Sequence, residues 1–293
     1  MKGIIIINPY KYPENSVKQA ERLKKEFLNL GVSVDIIENA FLKTILSGDK
    51  LYSSLEDVDF IVFLDKDKYL SQELTLLGAK LFNKHDAIRV CDDKGETCLA
   101  LINGGVNMPK TMFAPLCFRA QNQISTEYVD EIIEKISLPI IVKESYGSMG
   151  YGVHKADTKQ EFIEIEKKLK LRPRIYQEYI GYKKGTDIRV IVVGKKAVCS
   201  MLRENPSDFR SNVGHGGKGK RIELSKEFKK TAEKCAEILD LDYCGVDLLI
   251  DKDGSPVVCE VNSNAFFEEI EKVTEVNVAK IYAEHVIKEI KKG

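Results

Sequence analysis

Residues 243–262 read YCGVDLLIDKDGSPVVCEVN, and this stretch is the strongest structural feature of the sequence. Two apolar runs flank the turn Lys252-Asp253-Gly254, a pattern that predicts a β-hairpin. Asp247 lies in the first run, and Glu260 and Asn262 lie two positions apart in the second. Because side chains alternate between the two faces of a strand, Glu260 and Asn262 share a face, and Asp247 can face them from the neighbouring strand.

These three oxygen-bearing side chains suit a hard metal ion. Two carboxylates and an amide on one face fit Mg²⁺, which takes one or two carboxylates and leaves positions for phosphate oxygens. The alternative is a solvated, exposed sheet face. Carboxylates inside apolar strands argue against that alternative, because an uncompensated buried carboxylate is costly. From the spacing alone, both interpretations stay open.

A lysine near the end of a second buried strand precedes a glycine-bearing loop. The string IIVKE (140–144) predicts the strand, and SYGSMGYG (145–152) follows it. Glycines let backbone N–H groups approach an anion, and Lys143 supplies a positive charge, so this segment favours phosphate binding. It is not a Walker A loop, and by itself it fits a flexible surface turn equally well.

Several basic residues follow in the segment 187–221. Guanidinium groups can hold a carboxylate or a developing acyl-phosphate through two hydrogen bonds. Each arginine alone is more simply a solvated charge, but residues 209–222 contain few acidic side chains, which hints at an acidic substrate or a phosphate. The basic residues concerned are Arg189, Arg203, Arg210, Lys218, Lys220 and Arg221. The polar Asn212 lies among them.

Outside these motifs the chain alternates predicted strands and helices. Residues 3–7 predict a strand buried on both faces, and a helix with an apolar stripe and further strands follow it. This alternation implies a small α/β sheet with right-handed crossovers. No G-x-G-x-x-G follows the first strand, so a dinucleotide site is unsupported there. The segment 91–113 is expected to be helical and then to turn at Met108-Pro109, and a further helix is expected to begin at Asp157.

Composition excludes several classes of protein. The 45 basic and 45 acidic residues give a formal net charge of zero, so the sequence predicts no binding to nucleic acid or to a membrane surface. The seven cysteines lack C-x-x-C spacing and indicate a reducing compartment without a disulfide framework or zinc site. No apolar run approaches the roughly 20 residues of a membrane span or the core of a signal peptide. The expected location is the cytoplasm.

Six strings, taken in order, resemble the ATP-grasp superfamily, and most closely its RimK-like branch of glutamate and amino-acid ligases. Any one string is weakly specific, whereas six in order are highly specific. The strings are DDKGETCLALINGGVNMPKT (92–111), IVKESYGSMGYGV (141–153), IYQEYI (175–180), GTDIRVIVVG (185–194), FRSNVGHGG (209–217) and GVDLLID…PVVCEVNSN (245–264).

The resemblance implies an α/β (α+β) ATP-grasp fold with three subdomains. A Rossmann-like pre-ATP-grasp unit would occupy residues 1–90, the central subdomain 91–180 and the C-terminal subdomain 181–293. ATP would lie between the last two units, with Mg²⁺, or alternatively Mn²⁺, beside its phosphates. Several family members form dimers or tetramers, so a homodimer or homotetramer is a further expectation.

The resemblance also implies a role for each matching position. Lys94 and Lys143 resemble the lysines that hold the ATP phosphates, and the segment with Ser148 and Gly150 resembles the mobile loop that closes over them. The positions that resemble the adenine and ribose site are Gln177, Glu178, Tyr179, Ile180 and Asp187. Those that resemble magnesium ligands are Asp247, Glu260 and Asn262. Those that resemble substrate or acyl-phosphate contacts are Arg203 and Asn212, with Arg189 and Arg210 as further candidates.

One departure from the family pattern concerns the acceptor. The family commonly continues its EVN motif into a Pro-Gly turn, whereas Asn264 is followed here by Ala265-Phe266-Phe267. In the family that turn lies beside the acceptor site. The departure therefore leaves the substrate open while the expected metal ligands are all present.

The function expected from these residues is an ATP-dependent carboxylate–amine ligase that works through an acyl-phosphate. Glutamate is the first expectation for the added amino acid, and the acceptor would be a small molecule or a peptide of acidic character. Two alternatives stay open, namely an ATP-grasp small-molecule kinase and a nucleotide-binding regulator without catalysis. Stoichiometric amide product would separate the ligase from the kinase.

Overall fold

The computed structural model describes residues 1–10, 15–211 and 216–292. These residues form three main sheets and one separate two-stranded hairpin, with helices packed between and around them. None of the helices in this described part is both long and apolar enough to cross a membrane. Each main sheet falls within one of the three predicted segments, and the exact subdomain boundaries stay a prediction.

The N-terminal sheet is parallel and has four strands in the order β2-β1-β5-β6. Its central strand is the isoleucine run, which is buried on both faces as predicted. In chain order the elements of this region are β1 (Lys2–Ile7), α1 (Asn15–Asn29), β2 (Ser33–Glu38), a 3₁₀ turn (Asn39–Phe41), β3 (Thr44–Ser47), β4 (Lys50–Ser53), β5 (Phe60–Leu64), α2 (Lys68–Leu76), β6 (Leu81–Phe82) and α3 (His85–Asp92).

The central sheet is antiparallel and has the order β7-β10-β8-β9. Lys143 lies near the end of β8, and the glycine-bearing loop connects β8 to β9. The elements are α4 (Lys94–Leu101), β7 (Thr111–Phe113), α5 (Thr126–Ile136), β8 (Ile140–Glu144), β9 (Val153–Ala156), α6 (Lys159–Leu169) and β10 (Arg174–Glu178).

The C-terminal sheet is antiparallel and has five strands in the order β13-β12-β11-β14-β15. The hairpin predicted from residues 243–262 is confirmed as the pair β14 and β15. The elements are β11 (Thr186–Val193), β12 (Lys196–Glu204), β13 (Lys218–Arg221), α7 (Lys226–Ile238), β14 (Tyr243–Ile250), β15 (Pro256–Asn262), α8 (Glu268–Thr274) and α9 (Val278–Ile290).

The N-terminal and C-terminal units share one hydrophobic core. Leu23 and Phe27 of α1 belong to the same buried cluster as Phe267 and as Val278 and Tyr282 of α9. The central unit instead has a separate core between its sheet and the helices α5 and α6. The central sheet is therefore packed largely by itself, whereas the outer two units are held together by buried apolar surface.

Two local predictions are wrong. The segment 91–113 is not one helix, because α4 ends at Leu101 and the chain enters β7 at Thr111. The helix α6 is capped by Thr158 and not by Asp157, since the Thr158 hydroxyl accepts from the backbone N–H of Glu161 while the Glu161 carboxylate accepts in return. This reciprocal capping box has the spacing T-x-x-E and was readable in the sequence.

Candidate active site

One face of the C-terminal sheet gathers charged side chains from neighbouring strands. Asp187 of β11 lies opposite Arg203 of β12, and two positions further along β11, Arg189 lies opposite Asp247 of β14. Asp247 in turn lies opposite Glu260 of β15, after a shift in register between Asp247 and Leu248, and so faces it from the neighbouring strand as expected. Because residues two apart on a strand share a face, these side chains all project from the same side of the sheet.

Arginines neutralise the buried carboxylate of Asp247. Nε and Nη2 of Arg189 each donate to one of its oxygens over 2.7 Å, and Nη2 of Arg203 lies 2.9 Å from Oδ2. Burial acts to raise the pKa of the Asp247 carboxyl, but the two guanidinium groups outweigh burial and hold that pKa below its ordinary value. Asp247 is therefore ionised in the folded protein.

Arg203 also holds the carboxylate of Asp187. Its Nε donates to Oδ1 of Asp187 over 2.7 Å, and a second hydrogen bond joins Nη2 to Oδ2. Both side chains are buried, and the carboxylates around Arg203 raise the pKa of its guanidinium against the opposing effect of burial. Arg203 thus connects Asp187 and Asp247 in one charged row, and it does not line the open cleft.

Two lysines reach the same row from the other side. Nζ of Lys94 donates to the carbonyl of Gly147 over 2.8 Å and lies 3.6 Å from Oε1 of Glu260. Nζ of Lys143 points from the central sheet at β15, where the Cys259 carbonyl accepts at 3.5 Å. The two ammonium groups therefore lie between the central and C-terminal sheets, beside the carboxylates.

The amide of Asn262 completes this corner of the sheet. Asn262 pairs in register with Gly245, and its Nδ2 is buried without a hydrogen-bond partner among the described residues. In the same described part of the chain, no three His, Cys, Asp or Glu side chains gather to hold a metal ion. A metal here would therefore depend on the carboxylates of Asp247 and Glu260 together with the Asn262 amide.

A cleft runs between the central and C-terminal sheets, and most of the sequence-predicted site residues line it. They are Lys94, Lys143, Gly150, Gln177, Glu178, Tyr179, Ile180, Asp187, Arg210, Asp247 and Glu260. The structure does not bring Ser148, Arg189, Arg203 or Asn262 to the lining, and Ser148 is exposed on the loop. The remaining candidate, Asn212, lies outside the described residues.

The end of β10 forms one wall of the cleft. Nε2 of Gln177 donates to the Thr111 hydroxyl over 2.9 Å, while its Oε1 is buried and has no partner in the described structure. The Glu178 carboxylate accepts from the backbone N–H of Lys110 over 2.7 Å, which fixes the strand edge. A buried acceptor is costly to leave unpaired, so this atom of a cleft-lining residue is a candidate for recognising a bound group.

Arg210 joins the basic segment to the glycine-bearing loop. Its Nη1 donates to the Gly150 carbonyl over 3.0 Å, and its Nη2 donates to the Asp208 carboxylate over 2.7 Å. The arginine thus contacts the loop expected to cover phosphates. Sequence reasoning missed other cleft-lining residues, among them Lys183, Thr186, Phe209 and Ser211, and their proximity to the motifs in the chain was the only signal for them.

The segment that departs from the family pattern is a packing element. Ala265 is buried, and its carbonyl accepts from the hydroxyl of Tyr243 over 2.6 Å and from Nε2 of Gln19 over 3.3 Å. Phe267 is 1% exposed within the core that the outer two units share. Residues 265–267 therefore connect the candidate metal corner to helix α1.

Comparison with solved structures identifies the class of protein that this fold defines. The chain matches the ATP-grasp ligase PsnB, solved in complex with minimal precursor, Mg and ADP, with a TM-score of 0.71. The match covers 99% of this chain and 98% of that chain at 15% sequence identity, so it establishes a shared fold. The expected ATP-grasp fold is confirmed.

Sequence comparison then gives the family. The model of the RimK-like ATP-grasp domain matches residues 91–286. The probable alpha-L-glutamate ligase of Maridesulfovibrio salexigens is 34% identical over 227 residues, which cover 76% of this chain and 72% of that protein. N-acetylaspartylglutamate synthase A of Homo sapiens is 33% identical over 225 residues, covering 76% of this chain and 56% of that protein. The chain belongs to the RimK-like ATP-grasp family and is an ATP-grasp ligase.

Proposed function

We propose that this chain joins a carboxylate to an amine in an ATP-dependent reaction that passes through an acyl-phosphate. The observation that carries the proposal is the charged row on the C-terminal sheet, where Arg189 and Arg203 flank Asp247 while Lys94 and Lys143 approach from across the cleft. Phosphoryl transfer depends mainly on positioning and charge stabilisation, and this row supplies both.

The cationic side chains would serve two purposes, namely binding the ATP phosphates and stabilising the acyl-phosphate and the anionic substrate. Lys94 and Lys143 would hold the ATP phosphates, because their ammonium groups are the cleft-lining charges nearest to Glu260 and Cys259. Arg203 is almost fully buried, Arg189 pairs with Asp247, and Arg210 contacts Gly150 of the covering loop. These arginines would neutralise charge on the acyl-phosphate and on an anionic substrate.

The adenine end would lie against the edge of β10. The unpartnered Oε1 of Gln177 can accept a hydrogen bond from an exocyclic amine, and the backbone of Tyr179 and Ile180 follows it along the cleft. Asp187 lines the same cleft and would face the ribose while Arg203 holds its carboxylate. Glu178 supports this edge through its hydrogen bond to the Lys110 backbone.

The residues of the corner fit a magnesium ion. Asp247 and Glu260 are opposite each other in register, both lie at the cleft, and Asn262 has a buried amide with an unpartnered atom beside them. Rotation of that amide would present its oxygen, and three oxygen donors are the set that Mg²⁺ or Mn²⁺ accepts. Bound there, the ion would neutralise phosphate oxygens of ATP.

The reaction then balances without a protein nucleophile. A carboxylate oxygen of the substrate attacks the γ-phosphorus of ATP, the bond from that phosphorus to the bridging oxygen breaks, and ADP leaves with the electron pair. The amine nitrogen next attacks the acyl carbon of the acyl-phosphate, the carbon–oxygen bond breaks, and phosphate leaves. The products are an amide, ADP and phosphate.

Glutamate is the amino acid we propose as the amine. The support is the family, whose members include a probable alpha-L-glutamate ligase and an N-acetylaspartylglutamate synthase. The basic residues of the segment that follows β12 suit an acidic substrate. The carboxylate partner would be a small acidic molecule or a peptide, with N-acetyl-L-aspartate as the first compound to test.

The test is phosphate release from Mg·ATP with each of the twenty amino acids, with and without N-acetyl-L-aspartate or short acidic peptides. Mass spectrometry would identify the product, and the Glu260→Gln variant would serve as the blank. Amino-acid-dependent release that matches amide formation and is absent from the variant would support the ligase. ADP accompanied by a phosphorylated acceptor would overturn it in favour of a kinase. Tight ATP binding without turnover across the panel would overturn it in favour of a nucleotide-binding regulator.

A further inference from the structure

Helix α8 places one carboxylate over the charged face of the C-terminal sheet. The helix packs on β12 and β13, and Oε1 of Glu269 lies 3.1 Å from the point that a Cβ at residue 219 would occupy. Gly219 is the register partner of Arg203, so that point lies on the same face as the Arg203 side chain. The absence of a side chain at Gly219 leaves the space in which the Glu269 carboxylate lies beside the arginine.

The neighbouring acids of α8 have structural partners, whereas Glu269 has no hydrogen-bond or ion-pair partner in the part of the chain that the structure describes. Glu268 forms an ion pair with Lys272 over 2.7 Å, and Glu271 accepts from the backbone N–H of Ala279 and lies 3.3 Å from Nε of Arg22. Within the described residues, no hydrogen bond or ion pair reaches the carboxylate of Glu269, although the side chain is half-buried. This carboxylate is therefore held at the site without a structural contact that explains it.

A role in helix stability accounts poorly for Glu269. Acidic residues in a first turn favour the helix through its dipole, but Glu268 and Glu271 already supply that effect from better-paired positions. A half-buried carboxylate also loses part of its hydration, and this costs free energy that a fully exposed carboxylate would not lose. Its negative charge opposes the binding of an anionic substrate at Arg203 and Arg189. A cationic group on a substrate would instead be attracted by the Glu269 carboxylate.

Resting on the ligase function proposed above, we propose that Glu269 binds the ammonium group of the incoming amine and accepts a proton from it before the carbon–nitrogen bond forms. Glu269 lies over Gly219, the register partner of Arg203, and Arg203 is one of the arginines assigned to the acyl-phosphate. An amine held by this carboxylate would therefore lie on the same face of the sheet as the acyl-phosphate that it attacks. Such positioning removes much of the entropic cost of bringing two substrates together.

The proton transfers balance with the proposed reaction. The ammonium group gives one proton to the Glu269 carboxylate and becomes a neutral amine with a free electron pair. That pair forms the carbon–nitrogen bond, and phosphate departs with the electrons of the broken carbon–oxygen bond. The second proton of the nitrogen passes to the departing phosphate, and the protonated Glu269 returns its proton to solvent.

The environment of Glu269 suits a proton acceptor. Burial raises the pKa of its carboxyl, and the charges of Arg203, Arg189 and Lys272 offset only part of that increase. A base works best when its pKa approaches the working pH, because it is then deprotonated and still basic enough to take a proton.

The experiment compares the wild-type chain with Glu269→Gln, Glu269→Asp and the matched control Glu268→Gln. The control changes the same chemical group on the adjacent position of the same helix, where the side chain pairs with Lys272. Each protein receives Mg·ATP and N-acetyl-L-aspartate with either L-glutamate or hydroxylamine as the nucleophile, and the amino-acid panel replaces L-glutamate if another amino acid is the substrate. Hydroxylamine is uncharged at neutral pH and needs no base, so hydroxamate formation reports the acyl-phosphate step alone.

We expect Glu269→Gln to lose roughly 10²–10⁴-fold in the rate of amide formation while it retains the wild-type rate of hydroxamate formation. Glu269→Asp should recover part of the amide rate, and Glu268→Gln should match the wild type. Equal losses with both nucleophiles in a variant that melts like the wild type would overturn the inference, as would an unchanged amide rate. Failure of the wild-type chain itself to form hydroxamate or ADP across the panel would refute the proposed function instead.

Discussion

Arg189 and Asp247 lie directly opposite each other on adjacent antiparallel strands, and two hydrogen bonds of 2.7 Å join the guanidinium to the carboxylate. Asp247 is almost fully buried, and Arg203 approaches the same carboxylate from the next strand but one. A buried carboxylate with two arginines is protected from protonation and fixed in position. The pairing of the strands therefore fixes the positions of these side chains, and they do not depend on a flexible loop.

Replacing Arg203 with Met should destabilise the protein by about 3–5 kcal/mol, because Asp187 would be left buried and unpaired. Replacing Arg189 should cost less, since Asp247 would keep its contact with Arg203. Urea unfolding followed by circular dichroism would measure both values. Arg119→Met, at an exposed position, is the matched control. Equal and small effects for all three variants would contradict the buried-pair interpretation.

Replacing Lys143 with Met should weaken the binding of ATP without unfolding the chain. The side chain is 8% exposed and its ammonium group lies at the cleft, so the change removes one charge-assisted contact of about 1.5–3 kcal/mol. That free energy corresponds to a loss of roughly 10- to 100-fold in affinity. Titration calorimetry with a non-hydrolysable ATP analogue would measure it.

The control for Lys143 is the half-buried Lys170, which lies outside the cleft lining and whose Nζ donates to the carbonyl of Asn122 over 2.9 Å. Lys170→Met should leave the affinity unchanged. If Lys143→Met bound the analogue as tightly as the wild type, the assignment of this lysine to the phosphates would be wrong.

Gln177 should govern the choice of nucleotide base. Its Oε1 is buried, lies on a cleft-lining residue and has no partner in the described structure, so it suits the exocyclic amine of adenine and opposes the carbonyl of guanine. Gln177→Leu should therefore reduce the preference for ATP over GTP. Competition between the two nucleotides for a fluorescent ATP analogue would measure that preference. A variant that keeps the wild-type preference would show that another group reads the base.

The sequence allowed the hairpin to be predicted, but it revealed neither the exact register of the hairpin nor the charged row. Asp247 and Glu260 are connected by a short turn, but they lie opposite each other only because the register shifts between Asp247 and Leu248, which alternation along two strands does not predict. The pairing of Arg189 with Asp247 depends on β11 lying between β12 and β14, which is a non-local choice of strand order. Glu269 carried no motif, and its position depends on how α8 packs on the sheet.

The packing of the residues after the EVN motif was also not predictable from the sequence. Their departure from the family pattern was visible, but its structural consequence was not. Ala265 packs against Gly245, whose missing side chain leaves the necessary space, and a hydroxyl from Tyr243 fixes the Ala265 carbonyl. Such complementarity joins positions on separate elements, so no local pattern of residue types could predict it.

This contact gives a final prediction about stability and site geometry. A Cβ at position 245 would lie 2.6 Å from the Cβ of Ala265, which real side chains do not tolerate. Because Ala265 is held by Tyr243 and Gln19, the loop cannot simply move away. Gly245→Ala should therefore destabilise the protein by about 1–3 kcal/mol, the usual range for an overpacked core. It should also reduce turnover, since the loop directly follows Asn262.

A compensating substitution at Ala265 distinguishes a clash between residues 245 and 265 from a general effect of changing Gly245. Ala265→Gly removes the methyl group that a new side chain at position 245 would meet, so Gly245→Ala combined with Ala265→Gly should recover much of the lost stability and turnover. The interaction free energy from the double-mutant cycle should be favourable and within about 0.5–3 kcal/mol, as for residues in direct contact. Urea unfolding of all four proteins gives that quantity. Purely additive effects would show that residues 245 and 265 do not meet as the structure places them.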